Sequence, residues 1–280
     1  MSPKRFRSEL RELLLELHWR QWCALGVAGQ VEPERHWVVD LETLVVSTYR
    51  LGQTDSRLQK RAEEWLALNR DWVSTPRLRR ISHSFNSPME PEALVPAAAT
   101  RSRTKVVRPV VTQPVLLQLQ LRALFGMDAR ADVFGYLLFN KSGNSSSIAR
   151  ALYVDQKRVY NILERWSTAG VVRRAPGGYS LGSDAVPAAV AEAKDQTAWL
   201  NWTTTYLVLD RLYETVAKAA TDDRYILASL ARDARPELEP QAAAVGVNMA
   251  PADRYPGAAY FEPFADGIIA WLRRLLCRHE

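Results

Sequence analysis

The sequence predicts a mainly α-helical protein with one small β-hairpin near its middle. Three observations point there. Apolar residues recur at i, i+3, i+4 and i+7 toward both ends of the chain, the spacing of amphipathic helices. A hairpin signal surrounds Pro176-Gly177. Between residues 83 and 114 Ser, Pro, Ala and Thr dominate and no apolar period survives. The 280 residues exceed one ordinary domain, and these changes of pattern divide them into a helical N-terminal domain (1–82), a basic linker (83–114), a central module (115–182) and a helical C-terminal domain (183–280). Hydrophobic residues form 47% of the chain and charged residues 24%, close to the globular average, so the chain is expected to fold.

In the N-terminal domain Leu10, Leu13, Leu14 and Leu17 make the stripe of a first helix, with Gly26 and Gly29 punctuating its end. Asp40 is placed to cap a second helix carrying Leu41, Leu44 and Val45, closed by Gly52. Asp55 is placed to cap a third, whose buried side is Leu58, Ala62, Trp65, Leu66 and Leu68. Ser74-Thr75-Pro76 reads as a cap and first turn opening Arg77 to Ile81. Trp19, Trp22, Trp37, Trp65 and Trp72 are the bulky core candidates.

Charge is unevenly distributed. The chain is net +6, yet residues 77–108 and residues 130–182 each hold +5, while 183–280 is −4. Concentrated positive charge attracts phosphate far better than the same charge spread evenly. Solvated basic faces would show the same balance, so charge leaves both readings open. In the linker, Arg101, Arg103, Lys105 and Arg108 have no nearby acid; they belong either to a tether, flexible in part, or to an arm following a nucleic-acid backbone.

The central module is more specific. Leu116 to Leu124 and Asp132 to Phe139 predict two helices, the second ended by the turn Lys141-Ser142-Gly143-Asn144. Ser145 or Ser146 is placed to cap a short helix through Leu152, and Asp155 a longer one to about Thr168, with Val159, Ile162, Leu163 and Trp166 on one face. Ala169-Gly170 stops it, and Val171–Arg174 with Gly178–Leu181 form the hairpin. At about 100° per residue, Lys157, Asn161, Glu164 and Thr168 oppose the apolar face, flanked by Arg158 and Arg165 on one side and Tyr160 on the other. Lys, Asn, Arg and Tyr side chains supply donors for base edges and phosphates. Glu164 suits either a cytosine amino group or a basic neighbour. Arg173 and Arg174 are adjacent on a strand, so they point to opposite faces.

This order of helix, short helix, turn, longer helix and hairpin is that of a winged helix-turn-helix. The runs Ser147-Ile148-Ala149-Arg150-Ala151-Leu152, Val159 to Leu163 and Ala169-Gly170-Val171-Val172 resemble the I-A-x-x-L, V-x-x-x-L and G-h-V patterns of MarR- and ArsR-like bacterial transcriptional regulators. Trp166 stands where those proteins usually have leucine, and still suits the core. The resemblance spans about 50–60 residues and implies major-groove reading by the helix 155–168 and backbone contact by the wing at 171–181. The implied double-stranded DNA contacts are Ser146, Lys157, Arg158, Tyr160, Asn161, Arg165, Arg173 and Arg174. Winged helices also serve as protein-interaction modules, as in antitoxin-type regulators that join one to a helical partner-binding domain.

In the C-terminal domain, residues 195–217 predict a long helix bearing Trp199, Trp202, Tyr206, Leu209 and Tyr213, and residues 222–234 another. A loop through Pro251, Pro256 and Gly257 leads to a last helix with Phe264, Ile268, Trp271, Leu272 and Leu275. These stripes belong either to an ordinary core or to a partner or homodimer surface. A single winged helix buries only about 600–1,000 Å², which favours a homodimer for selecting one site in a genome.

Catalytic chemistry is not legible. His18, His36, His83 and His279 are scattered, Cys23 and Cys277 have no CxxC spacing, and HExxH, P-loop and GxGxxG patterns are missing. No cofactor, metal or enzymatic activity is therefore expected. The two distant cysteines and the lack of long apolar runs fit a cytoplasmic protein without a membrane partner.

Overall fold

The computed structural model describes residues 1–51, 55–85, 89–95, 107–217, 219 and 221–276. In chain order the helices are α1 (Pro3–Ala24), α2 (Leu41–Leu51), α3 (Ser56–Asn69), α4 (Thr75–Ser84), the single turn α5 (Pro91–Leu94), α6 (Leu117–Phe125), α7 (Ala129–Phe139), α8 (Ser145–Leu152) and α9 (Gln156–Thr168). Strands β1 (Val172–Ala175) and β2 (Gly178–Leu181) follow, then α10 (Ala188–Gln196), α11 (Trp202–Leu212), α12 (Arg224–Ala244) and α13 (Phe261–Leu276). The described residues are thus mainly helical, with one antiparallel two-stranded sheet among them. No helix among the described residues is long and apolar enough to cross a membrane.

The chain forms two compact units, Met1–Trp19 with Leu200–Glu280, and Arg20–Trp199. This division falls at none of the boundaries expected from sequence, residues 82, 114 and 182. The reason lies in α2, α4 and α6 of the second unit. Helix α2 is buried almost throughout, including Glu42. The Glu42 carboxylate accepts from both terminal nitrogens of Arg122 on α6 at 2.8 Å and from Arg77 on α4 at 2.7 Å. Arg77 also grips Asp40 at 2.6 and 2.7 Å, and Arg122 reaches Asp132 of α7 at 3.3 Å. Burial alone would push the Glu42 carboxyl up, but Arg122, then Arg77, and the Ser74 N–H hold it well below the usual carboxylate range. Charges so deeply buried are tolerable only when every one is paired and hydrogen-bonded. The network joins α2 and α4 to α6 and α7, which the sequence pattern places in a separate domain.

Around it the tryptophans of this unit complete the packing. Trp22 meets Trp65 edge-on at 5.6 Å; their ring N–H groups donate to Thr48 Oγ1 and the Leu25 carbonyl, each at 2.8 Å. Trp37 is also buried, as is Trp19 in the other unit, whereas Trp72 is half-buried. Asp55 caps α3 as expected, and Asp40 accepts from the Thr43 N–H at 3.2 Å. Part of the expected tether is packed: Phe85 and Leu94 are buried, and α5 lies against α2 and α4. Arg108 is exposed, while Arg101, Arg103, Lys105, Gly52 and Cys277 lie outside the described residues.

The helix expected over 195–217 is interrupted. Ala198 pairs with the strand-like segment at Trp37, its N–H donating to the His36 carbonyl at 2.8 Å and its carbonyl accepting from Val38 at 2.9 Å. Asn201 then caps α11 through the Thr204 N–H. Helix α12 also runs on to Ala244 instead of stopping before Pro236, although Pro236 and Pro240 lie inside it. Leu238 and Ala242 continue the buried face of Leu227, Ala231 and Ala234, and this burial offsets the missing backbone bonds. Of the expected dimer surface, Trp202, Tyr206, Leu209, Ile268, Trp271, Leu272 and Leu275 are buried and belong to the core.

Candidate nucleic-acid interface

The candidate interface is built on α7, α8, α9 and the hairpin. Neither Ser145 nor Ser146 caps α8: Asn144 does, accepting from the Ser147 N–H at 2.8 Å while Ser147 Oγ accepts from the Asn144 N–H at 3.1 Å. The reciprocal bond needs an acceptor at the cap and a short polar side chain three residues on, and Asn144 and Ser147 meet both conditions. Ser146 is half-buried in the first turn of α8. Tyr153, at φ 56°, closes the C-terminal end of α8. Asp155 then caps α9 through the Arg158 N–H at 2.9 Å.

Helix α9 is amphipathic in the expected direction. Val159, Ile162 and Leu163 are buried with Val133 and Leu137 of α7, Ile148 and Leu152 of α8, and Val172 and Tyr179 of the hairpin. Trp166 is half-buried, a correction to the expected full burial, because it lies at the border of two apolar clusters. Its ring stands 6.3 Å from Phe125 and 6.0 Å from Phe134. On the opposite side Gln156, Lys157, Arg158, Tyr160, Asn161 and Arg165 are exposed. Among the described residues the Lys157, Asn161 and Arg165 side chains make no hydrogen bond or ion pair. Arg158 stands 3.9 Å from Asp128, half exposed.

Register separates the two hairpin arginines. Arg173 pairs with Ser180 and Arg174 with Tyr179, so Arg174 shares a face with Tyr179 and the buried Val172, while Arg173 points to the other face. Arg174 lies 5.7 Å over the Tyr179 ring and 3.3 Å from Glu164 of α9. The Tyr179 hydroxyl also donates to Glu164, and that hydrogen bond pushes the phenol up from its ordinary value. Glu164 therefore joins α9 to the hairpin and pairs with a basic neighbour, as one of its two sequence readings had it.

The turn before α8 braces the hairpin. Gly143 and Tyr179 exchange two backbone hydrogen bonds of 2.9 Å. The approach is so close that a Cβ on Gly178, at φ 140°, would lie 2.3 Å from the Gly143 carbonyl oxygen. Residues Gly178 to Gly182 also spell the G-x-S-x-G of a hydrolase nucleophile elbow, a pattern that sequence reasoning missed. That chemistry needs the serine on a sharp strand-to-helix turn, and Ser180 lies within β2 opposite Arg173.

Sequence reasoning passed over two contributors. Arg77 donates from Nε to the Leu152 carbonyl at the end of α8 at 2.9 Å, and Arg80 Nη2 stands 4.0 Å from Asp155 Oδ2. Their only sequence signal was the basic run 77–80, which had been attached to the neighbouring domain. Compared with known proteins, the chain matches no family model, no curated protein and no solved structure.

Proposed function

We propose that the segment from α6 through β2 works as a winged helix-turn-helix that binds double-stranded DNA, making the protein a sequence-specific transcriptional regulator. The observation carrying this reading is the outer face of α9: Lys157, Tyr160, Asn161 and Arg165 are exposed together on a helix whose other face is locked into the core. A B-form major groove admits one α-helix. Asn161 has the amide to read an adenine edge bidentately, and Lys157 and Arg165 have the donors for guanine or phosphate. Arg158, at the first turn, and Arg173, on the outer face of the hairpin, contact phosphates. Arg174 serves mainly to hold the wing on Glu164, and Ser146 lies at the head of α8, where a backbone phosphate meets helix N–H groups.

One such module reads few base pairs. Selection of a single site then requires a second copy on a neighbouring half-site, paired through a surface other than the buried C-terminal aromatics.

The test is selection of bound sequences from a random duplex pool with the full chain, followed by fluorescence anisotropy. Enrichment of one motif is expected. Asn161→Ala should lose about 1–3 kcal/mol of discrimination at one base pair, and Lys157→Gln should lower affinity for every duplex alike with a shallower salt slope. No enrichment, together with affinity independent of salt, overturns the reading.

A further inference from the structure

The +5 carried by residues 77–108 falls partly on α4, whose Arg77 and Arg80 reach Leu152 and Asp155 at the turn between α8 and α9. Arg77, Leu78, Ile81 and Ser82 of α4 are buried, so the helix turns Arg79, Arg80 and His83 outward. This outer face has no acidic residue. Its position is set by Arg77, whose guanidinium binds Asp40, Glu42 and the Leu152 carbonyl together at 2.6–2.9 Å. Arg80, 48% exposed, stands 4.0 Å from Asp155, the 52% exposed cap of α9. Arg80 therefore borders the first turn of α9, where Lys157 and Arg158 are exposed, and Arg79 is exposed beside it on α4.

We infer that α4 is a second DNA-binding element, its Arg79 and Arg80 contacting the phosphate backbone that flanks the groove entered by the N-terminal end of α9. The inference rests on the DNA-binding reading of α9 and extends it to a helix outside the winged segment. Asp155 is the acid facing Arg80, and its carboxylate is already engaged in capping α9. An exposed pair at such a distance holds its partner weakly, so a phosphate, accepting charge-assisted hydrogen bonds from a guanidinium, displaces it readily. On the other side, Asp128 faces Arg130 at 2.8 Å and Arg158 at 3.9 Å. Arg77 acts differently: it is a positioning residue, fully buried, that fixes the two outer arginines relative to α9.

The experiment compares wild type, Asn161→Ala and the double variant Arg79→Gln/Arg80→Gln of the full chain, by anisotropy on the selected duplex and on an unrelated one over a range of salt. Circular dichroism confirms that each is folded; a double variant that does not fold is replaced by the single Arg80→Gln. The α4 variant should bind both duplexes on the order of tenfold more weakly, keep the wild-type ratio between them, and show a salt slope shallower by about 0.9 for each phosphate it no longer neutralises. Hydroxyl-radical footprinting should show weaker protection of the backbone on one flank only. Wild-type affinity and slope in the α4 variant, with Asn161→Ala impaired, overturn this inference and leave the reading of α9 standing. Wild type that binds no duplex overturns both.

Discussion

Arg77 Nε donates to the carbonyl of Leu152, 75 residues later in the chain, at 2.9 Å. The same guanidinium holds Asp40 and Glu42, so one side chain ties α2, α4 and the end of α8 together. Arg77→Ala leaves Glu42 and Asp40 short of a cation and a helix-terminal carbonyl without its donor. Breaking a buried ion pair by removing one partner costs about 3–5 kcal/mol. The urea midpoint, followed by tryptophan fluorescence, should fall accordingly; a shift worth less than about 1 kcal/mol would contradict the network's role.

Trp166 is only half-buried, which lowers what its removal costs. A fully buried tryptophan changed to alanine loses about 3–5 kcal/mol; Trp166→Ala is expected to lose about 2–3 kcal/mol. Because its ring lies against Phe125 and Phe134 of α6 and α7, Trp166→Leu should recover much of that loss. Equal stability of the alanine variant and wild type would show that the indole does not join the two clusters.

Gly178 and Gly177 are adjacent and should respond differently to alanine. Both have positive φ, but a Cβ at 178 collides with the Gly143 backbone at 2.3 Å, whereas one at 177 meets only Ser142 Oγ at 3.4 Å. Gly177→Ala should cost about 1 kcal/mol from its strained backbone. Gly178→Ala must also push the hairpin off Gly143 and should cost at least about 2 kcal/mol. Hydrogen exchange at the Tyr179 amide, which donates to Gly143, reports the difference directly; unchanged protection in Gly178→Ala would refute it.

His18 predicts a pH dependence. Desolvation by burial lowers its pKa from 6.5 to about 4, against the smaller opposing effect of a hydrogen bond to the Leu14 carbonyl. The unfolded chain then binds more protons than the folded one between those values, so stability rises with pH across the window and falls as pH drops from 6.5 toward 4. At 1.36 kcal/mol per unit, the loss amounts to about 3 kcal/mol. Glu42, held low by its arginines, adds a further loss below the ordinary carboxylate pKa of 4.5. His18→Gln should flatten the thermal melting temperature between pH 4 and 6.5; an unchanged slope would rule the histidine out as its source.

Much of the central module was legible because its signals are local. The α9 face was readable from Val159, Ile162 and Leu163 at helical spacing, the Asp155 cap from its position before that stripe, and the hairpin from Pro176-Gly177. The α8 cap was misplaced by one or two residues because three serines follow Asn144 and any of them suits a cap; the choice depended on which N–H groups the turn left free. Trp199 and Trp202, read as one helix, are separated because Ala198 pairs with a segment some 160 residues earlier.

What the sequence determined by itself is the helical class, the amphipathic α9 with its basic outer face, and the hairpin beside it, all set by spacing within a few residues. Tertiary structure decided which helices share a unit, which arginines are buried and which face outward. Arg77 and Arg79 differ by two positions in the same basic run, yet one is 3% exposed and the other lies on the surface. That outcome depends on Glu42 and Asp40, more than thirty residues away, because a guanidinium enters a protein interior only where carboxylates from other elements are already placed to meet it.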